Sequence, residues 1–302
     1  MKIAITGGTG LIGRPLVRAL AEAGHQVVVL TRRPRPRQGG ISFVEWLTPD
    51  SHPESELQDV DAFIHLAGAS INDGRWTHKQ KQAILQSRID GTKEVVRIIK
   101  NMKRKPSVVI SGSAIGIYGE DRSITYSEAT PLPDRTNFLG NVCVLWEKEA
   151  APIKDMGIRL VTMRTGVVLS NDGGAFPLMK LPYTLGVGGR LGSGQQWVPW
   201  IHLDDLVRLF VHIIETTSIE GPVNGTAPTP VTMNEFGKTL GRVMHRPHWA
   251  PAPAPLLKLA LGEKSVIVLE GAKVVPTKAL NHGFRFRYET LEPALKQLLH
   301  LI

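Results

Sequence analysis

The chain has 302 residues, 42% of them hydrophobic, and a formal net charge of +9; that supplies the core of one large α/β unit, alone or with a small companion, and excludes a disordered chain. Its one cysteine, Cys143, excludes an intramolecular disulfide and favours a reducing compartment, and no apolar run approaches the ~18 residues that span a bilayer. The N-terminus enters a strand pattern directly, without a signal-peptide signature, so the expected location is the cytoplasm.

Lys2 to Thr6 reads as a short buried strand, and Gly7, Gly10 and Gly13 follow at G-x-x-G-x-x-G spacing into an amphipathic helix from Leu11 to Ala23. A strand, a tight glycine turn and a helix N-terminus form a site for a pyrophosphate, because open backbone N–H groups face the turn and glycine lets the chain approach the phosphate oxygens. The expected cradle is Gly7, Thr9, Gly10, Leu11, Ile12 and Gly13. Gln26 to Thr31 is a second strand, and its end is where a dinucleotide fold meets the adenosine ribose. An acid there would bond the 2′-hydroxyl of NAD; the chain has Thr31, Arg32 and Arg33, so the expected cofactor is NADP with Arg32 on the 2′-phosphate.

Ser42 to Trp46 reads as a short strand, Leu47 to Asp59 as loop, and Asp61 to Leu66 as a buried strand ending in Ala67 and Gly68. Small residues at a strand's carboxyl end let a flat ligand lie against the backbone, which makes Leu66, Ala67 and Gly68 expected cofactor contacts. A helix runs from His78 to Lys100 with Ile84, Ile89, Val95, Val96, Ile98 and Ile99 inward; Lys100, Lys103, Arg104 and Lys105 end it and complement its dipole. Ser107 to Ile110, Gly140 to Met156 and Ile158 to Arg164 read as strand, helix and strand, an alternation that means βαβ units and a parallel sheet.

Beyond Gly166, seven glycines between Gly173 and Gly194 read as loops or a lid over a site. Asp204 or Asp205 is the expected cap of a helix reaching about Glu215, and Thr232 caps another reaching Val243. His202 beside the two aspartates has no second histidine at ligand spacing, so no metal is assigned. From Pro251 onward, short proline-rich elements form a smaller C-terminal region, and no solenoid repeat occurs.

TGGTGLIG at Thr6, HLAG at His65, SGSAIGIYG at Ser111 and WIHLDDL at Trp200 together resemble the extended short-chain dehydrogenase/reductase superfamily. RWTHKQK at Arg75, SRIDGT at Ser87, WEKEA at Trp146, RTGVVLSNDGG at Arg164 and GSGQQWVPWIH at Gly192 narrow the resemblance to its atypical branch of epimerase family proteins, some labelled cell-division inhibitors. The resemblance implies a doubly wound NAD(P)-binding Rossmann fold over 1–170 and 201–228, with a small substrate-binding region over 171–200 and 229–302. It also places Thr31, Arg32, Leu66, Ala67, Arg88 and Val168 against NADP. The superfamily's working pair is a tyrosine acid/base and a lysine four residues later, which favours the phenolate. Here those positions fall on Leu139 and Cys143, no Y-x-x-x-K occurs, and Arg88 stands where the superfamily has an asparagine.

The expected catalytic residues are therefore Ser113, which could hydrogen-bond a substrate oxygen, and Tyr118, the nearest phenol; Ser111 competes for the serine role and is otherwise a cofactor contact. Cys143 reads as a buried hydrophobe before it reads as an acid. The expected function is an NADP-dependent oxidoreductase or epimerase acting on an unidentified small polar substrate, nucleotide-linked or free, with Trp197, Trp200 and Tyr183 as walls. The alternative is a catalytically silent NADP-binding module that engages a protein partner. Expected partners are a small-molecule substrate and at most a second copy forming a homodimer, with no specific nucleic acid and no membrane.

Overall fold

The computed structural model describes residues 1–33, 35–134 and 137–301. Five apolar segments rich in β-branched residues begin the sheet: β1 (Lys2–Thr6), β2 (Gln26–Thr31), β3 (Ile41–Glu45), β4 (Ala62–His65) and β5 (Val108–Ala114). Strands Arg159–Thr165 and Gly221–Gly225 complete seven, all paired in parallel, in the order Gly221–Gly225, Arg159–Thr165, β5, β4, β1, β2, β3. The chain leaves β1 toward β2 on one side and returns to β4 on the other, so a crevice opens at the carboxyl ends of β1 and β4. Thr6, His65, Ser111 and Thr162 stand in one register row near that edge.

Each face of the sheet is covered. Helix α1 (Gly13–Glu22) and helix Leu203–Glu215 bury Leu16, Leu20, Leu206 and Phe210 on one face. The other face holds helix α2 (His78–Asn101), with Val95, Ile98 and Ile99 inward as expected, while Ile89 and Val96 are only half-buried. Thr77 caps α2, and Lys105 closes it by donating to the carbonyls of Ile99, Lys100 and Met102, which accounts for part of that basic run. A separate core of Phe176, Tyr183, Trp200, Phe236, Leu240 and Leu295 holds the C-terminal region together.

Several expectations change. β5 runs to Ala114 rather than stopping at Ile110, because Ser111 to Ser113 pair with Thr162 to Arg164. The helix expected from Gly140 to Met156 is two, α3 (Phe138–Ala150) and Pro152–Asp155, since proline at 152 has no N–H to continue the first. The glycine-rich stretch contains helix Phe176–Thr184, and two of its glycines serve close packing: a Cβ at Gly188 would lie 2.3 Å from the Tyr183 ring, and one at Gly189 1.9 Å from the Ala250 carbonyl. Residues at the chain's end do not all stay in the C-terminal layer, because Ala279, Phe284 and Phe286 join the core beneath the main sheet.

Neither aspartate caps the helix that starts at Leu203; His202 does, its Nδ1 accepting from Asp204 N at 3.1 Å. Asp205 is fully buried instead and accepts from Arg287 N, Tyr288 N and Arg208, at 2.8 Å each, tying the C-terminal segment to the Rossmann layer. Replacing it strands two backbone donors. Asp205→Ala is expected to lower unfolding stability by about 2–4 kcal/mol in urea titrations, with the Leu203–Glu215 helix itself retained.

Candidate functional site

The glycine turn is built by contact. A Cβ on Gly13 would sit 2.1 Å from the Gly7 carbonyl, and one on Gly7, whose φ is +71°, would sit 2.7 Å from the Leu66 carbonyl carbon. Only glycine lets β1, α1 and the end of β4 converge there. No side chain caps α1; Arg14 N is met by the Gly10 carbonyl at 3.0 Å, and the start of the helix adjoins the glycine turn. Leu11 reaches across to Gly173 and Gly174, which brings the segment after Val168 against the same turn.

Beneath the turn lies a hydrogen-bond chain that the sequence reading missed. Thr6 Oγ1 accepts from Leu66 N (3.2 Å) and Ala67 N (3.3 Å) and donates to His65 Nδ1 (2.7 Å). His65 Nε2 then donates to Thr92 Oγ1 (3.1 Å), whose own proton goes to the Arg88 carbonyl (2.7 Å). The donors leave one consistent tautomer, a bare Nδ1 and a protonated Nε2. Burial, and secondarily the Arg88 charge, pull the His65 imidazolium down to about 3.

Arg88 itself donates through Nη1 to the carbonyls of Ala69 (3.1 Å) and Ile84 (2.8 Å) and lies 4.9 Å from the Trp146 ring. It pairs with no carboxylate among the described residues and flanks Gly68, so it is an uncompensated cation beside the end of β4. Arg32 is exposed after β2 and likewise has no acidic partner among the described residues. Thr31, Leu66 and Ala67 are half-buried at their strand ends, and Val168 is buried beside Ile201. Thr31, Leu66 and Ala67 thus stand at the carboxyl ends of neighbouring strands, with Arg88 flanking Gly68.

The expected catalytic residues fare differently. Ser113 ends in a charged network: its Oγ donates to Glu147 Oε1 (2.7 Å), and Arg164 grips both oxygens of Glu147 at 2.8 and 2.9 Å. Ser111 sits inside the sheet, almost wholly buried. Tyr118 is not a free acid, because its fully buried hydroxyl accepts from Arg164 Nη1 (2.9 Å) and donates to Asn224 Oδ1 (2.8 Å), and burial pushes its pKa up. Asn224 N in turn donates to Glu128, which also receives Lys278 N. Tyr118 is thus a strut between sheet and C-terminal segment. Leu139 is half-buried among Trp76, Phe138 and Val142, and Cys143 is buried with its thiol pushed up to about 11 by burial.

Of the three expected walls, Trp200 and Tyr183 are core residues, Tyr183 bonded to His248 at 2.7 Å, and only Trp197 is half-exposed, under Lys273. Sequence reasoning also missed Glu270. Its half-buried carboxyl accepts from Asn137 Nδ2 at 2.9 Å, and burial together with the neighbouring Glu120 pushes its pKa up. Asn137 and Glu120 line a cavity of about 450 Å³ beside Tyr118. No local pattern marks Glu270, because its partners lie far away in the chain. Among the described residues no three His, Cys, Asp or Glu side chains group as a metal site.

Residues 3–224 match the family model described as the NAD dependent epimerase/dehydratase family, and residues 252–298 match a domain of unknown function, DUF1731. The epimerase family protein YfhF of Bacillus subtilis is 47% identical over 300 residues, covering 99% of this chain and 98% of the relative. The epimerase family protein SSP1921 of Staphylococcus saprophyticus is 46% identical over 98% of both. Among solved structures, the human epimerase family protein SDR39U1 (isoform 2) with NADPH is 32% identical with a TM-score of 0.88 and full coverage of both chains. A nucleoside-diphosphate sugar epimerase from Corynebacterium glutamicum is also 32% identical, with a TM-score of 0.78, over 99% of this chain and 58% of that one.

Two outcomes follow from the buried groups. Since folding holds His65 neutral while the unfolded chain titrates near 6.5, its contribution is intact above that value and lost as pH falls toward 3. Urea titrations should show about 2 kcal/mol less stability at pH 5 than at pH 7 from this residue, a difference that His65→Gln removes. With its thiol near 11, Cys143 should react with a disulfide reagent at neutral pH at least about a hundred-fold more slowly in the native than in the unfolded protein.

Proposed function

Because the chain belongs to the NAD dependent epimerase/dehydratase family, in its atypical extended short-chain dehydrogenase/reductase branch, we propose that it is an NADP-dependent oxidoreductase or epimerase acting on a small molecule held between the sheet edge and the C-terminal region. The observation that carries the choice of NADP is Arg32, an exposed cation after β2 with no acid at that strand end. The NADPH bound by the human relative of 32% identity supports it. The glycine turn and the open N-terminus of α1 would hold the pyrophosphate, and Arg88 would meet the phosphate or ribose. NADPH, when bound, supplies a hydride.

The chain's own contribution centres on Ser113. Its proton is committed to Glu147, whose two carboxyl oxygens Arg164 grips, so the serine oxygen keeps lone pairs for a substrate hydroxyl. Leu139 and Cys143 contribute no acid. A second reading, a cofactor-binding module without turnover that engages a protein partner, is favoured by that same loss and by the locked Tyr118 hydroxyl.

The test is NADPH oxidation by the purified protein in a fractionated small-metabolite extract. Consumption tracking one fraction supports an enzyme, and tight NADPH binding with no turnover in any fraction supports the module. In either case Arg32→Asp should weaken NADPH binding about 10- to 100-fold while NADH binding stays within about three-fold, measured by titration calorimetry.

A further inference from the structure

Seven of the fifteen large apolar side chains that the described residues expose fall in two short stretches, 178–187 and 249–259. Those stretches are zipped together. Trp249 N donates to Gly188 O (2.9 Å), Ala252 N to Arg190 O (2.8 Å), Gly192 N to Ala252 O (2.9 Å), and Trp249 Nε1 to Gly186 O (3.1 Å). Leu178, Leu181 and Leu185 recur at i, i+3 and i+7 along helix Phe176–Thr184 and its C-cap, which puts them on one face. Leu256 and Leu259 do the same on helix Ala254–Leu261, which buries none of its residues. Leu259 is 80% exposed, Leu185 67% and Trp249 66%, far more than scattered surface apolar groups need.

The charge on this surface is one-sided. From residue 173 to 203 and from 244 to 262 there is no Asp or Glu, while Arg190, Arg246 and Lys258 are exposed, Lys258 alone being faced by an acid, Glu270, from outside the two stretches. A second copy docked face to face would bring Arg190 and Arg246 against their own equivalents, with no acid in either stretch to answer them. An anionic bilayer answers both features, since the leucines and the tryptophan enter the headgroup boundary and the cations meet lipid phosphate. We propose that this face docks the protein onto the surface of an anionic membrane. No helix among the described residues is long and apolar enough to cross a membrane, and surface association needs none.

The experiment is co-sedimentation of the full chain with vesicles of phosphatidylcholine, alone or mixed with phosphatidylglycerol. Three exposed cations should favour the anionic vesicles by about a hundred-fold at low salt, and the preference should collapse at high salt. Leu256→Glu with Leu259→Glu should reduce partitioning at least about ten-fold while leaving the thermal melt and NADPH binding unchanged, since both side chains are exposed. Lys258→Glu should weaken binding to anionic vesicles alone. Absence of vesicle binding, equal binding to both vesicle types, or a double variant that sediments like the parent overturns the proposal. So does self-association abolished by the same double variant, which would assign the face to a second copy.

Discussion

Three backbones meet at one point of this molecule, and the rest of the site depends on their being allowed to. Gly13 packs onto the Gly7 carbonyl, Gly7 onto the carbonyl of Leu66, and any side chain at either position would push β1, α1 and β4 apart. The convergence sets the uncapped start of α1 against the glycine turn and the ends of β1 and β4 side by side. Thr6, His65 and Thr92 then fasten the same point from below, because one directional chain of hydrogen bonds runs from Leu66 and Ala67 to the turn of α2 that carries Arg88. The glycine turn, the end of β4 and the Arg88 cation are thus one mechanical unit.

A second unit lies beside it at the end of β5. Leu139 there stands in an apolar cluster and Cys143 is buried as a thiol. The polar groups there are Glu147 and Arg164, which hold Ser113 on one side and Tyr118 on the other. Asn224 and Glu128 carry the connection on to Val275 and Lys278. Ser113 is therefore positioned by groups drawn from the sheet, α3 and, through Tyr118, the C-terminal segment, so its geometry depends on the whole arrangement.

How much of this was legible follows from the range of the interactions. β2 and the Thr232-capped helix are local patterns and stand where the sequence put them, and the parallel sheet follows from strands alternating with helices. Ser111 to Ala114 have small side chains with little strand preference of their own, and their extension of β5 comes from pairing with Thr162 to Thr165. Helix Phe176–Thr184 was hidden by Pro177, Pro182 and the glycines around it, and tertiary packing of Phe176 and Tyr183 overrides that local signal. His202 took the capping role because its ring fits the turn, which freed Asp205 to be buried on distant N–H groups. The Tyr118 strut joins residues about a hundred positions apart and left no mark in any local window.

The most direct measurement is a crystal structure of the protein with NADPH. The account predicts the pyrophosphate against Gly7 to Gly13, the 2′-phosphate on Arg32 and the nicotinamide ring toward Ser113 at the end of β5. A dinucleotide bound in the opposite sense, or a 2′-phosphate that leaves Arg32 in solvent, would contradict it.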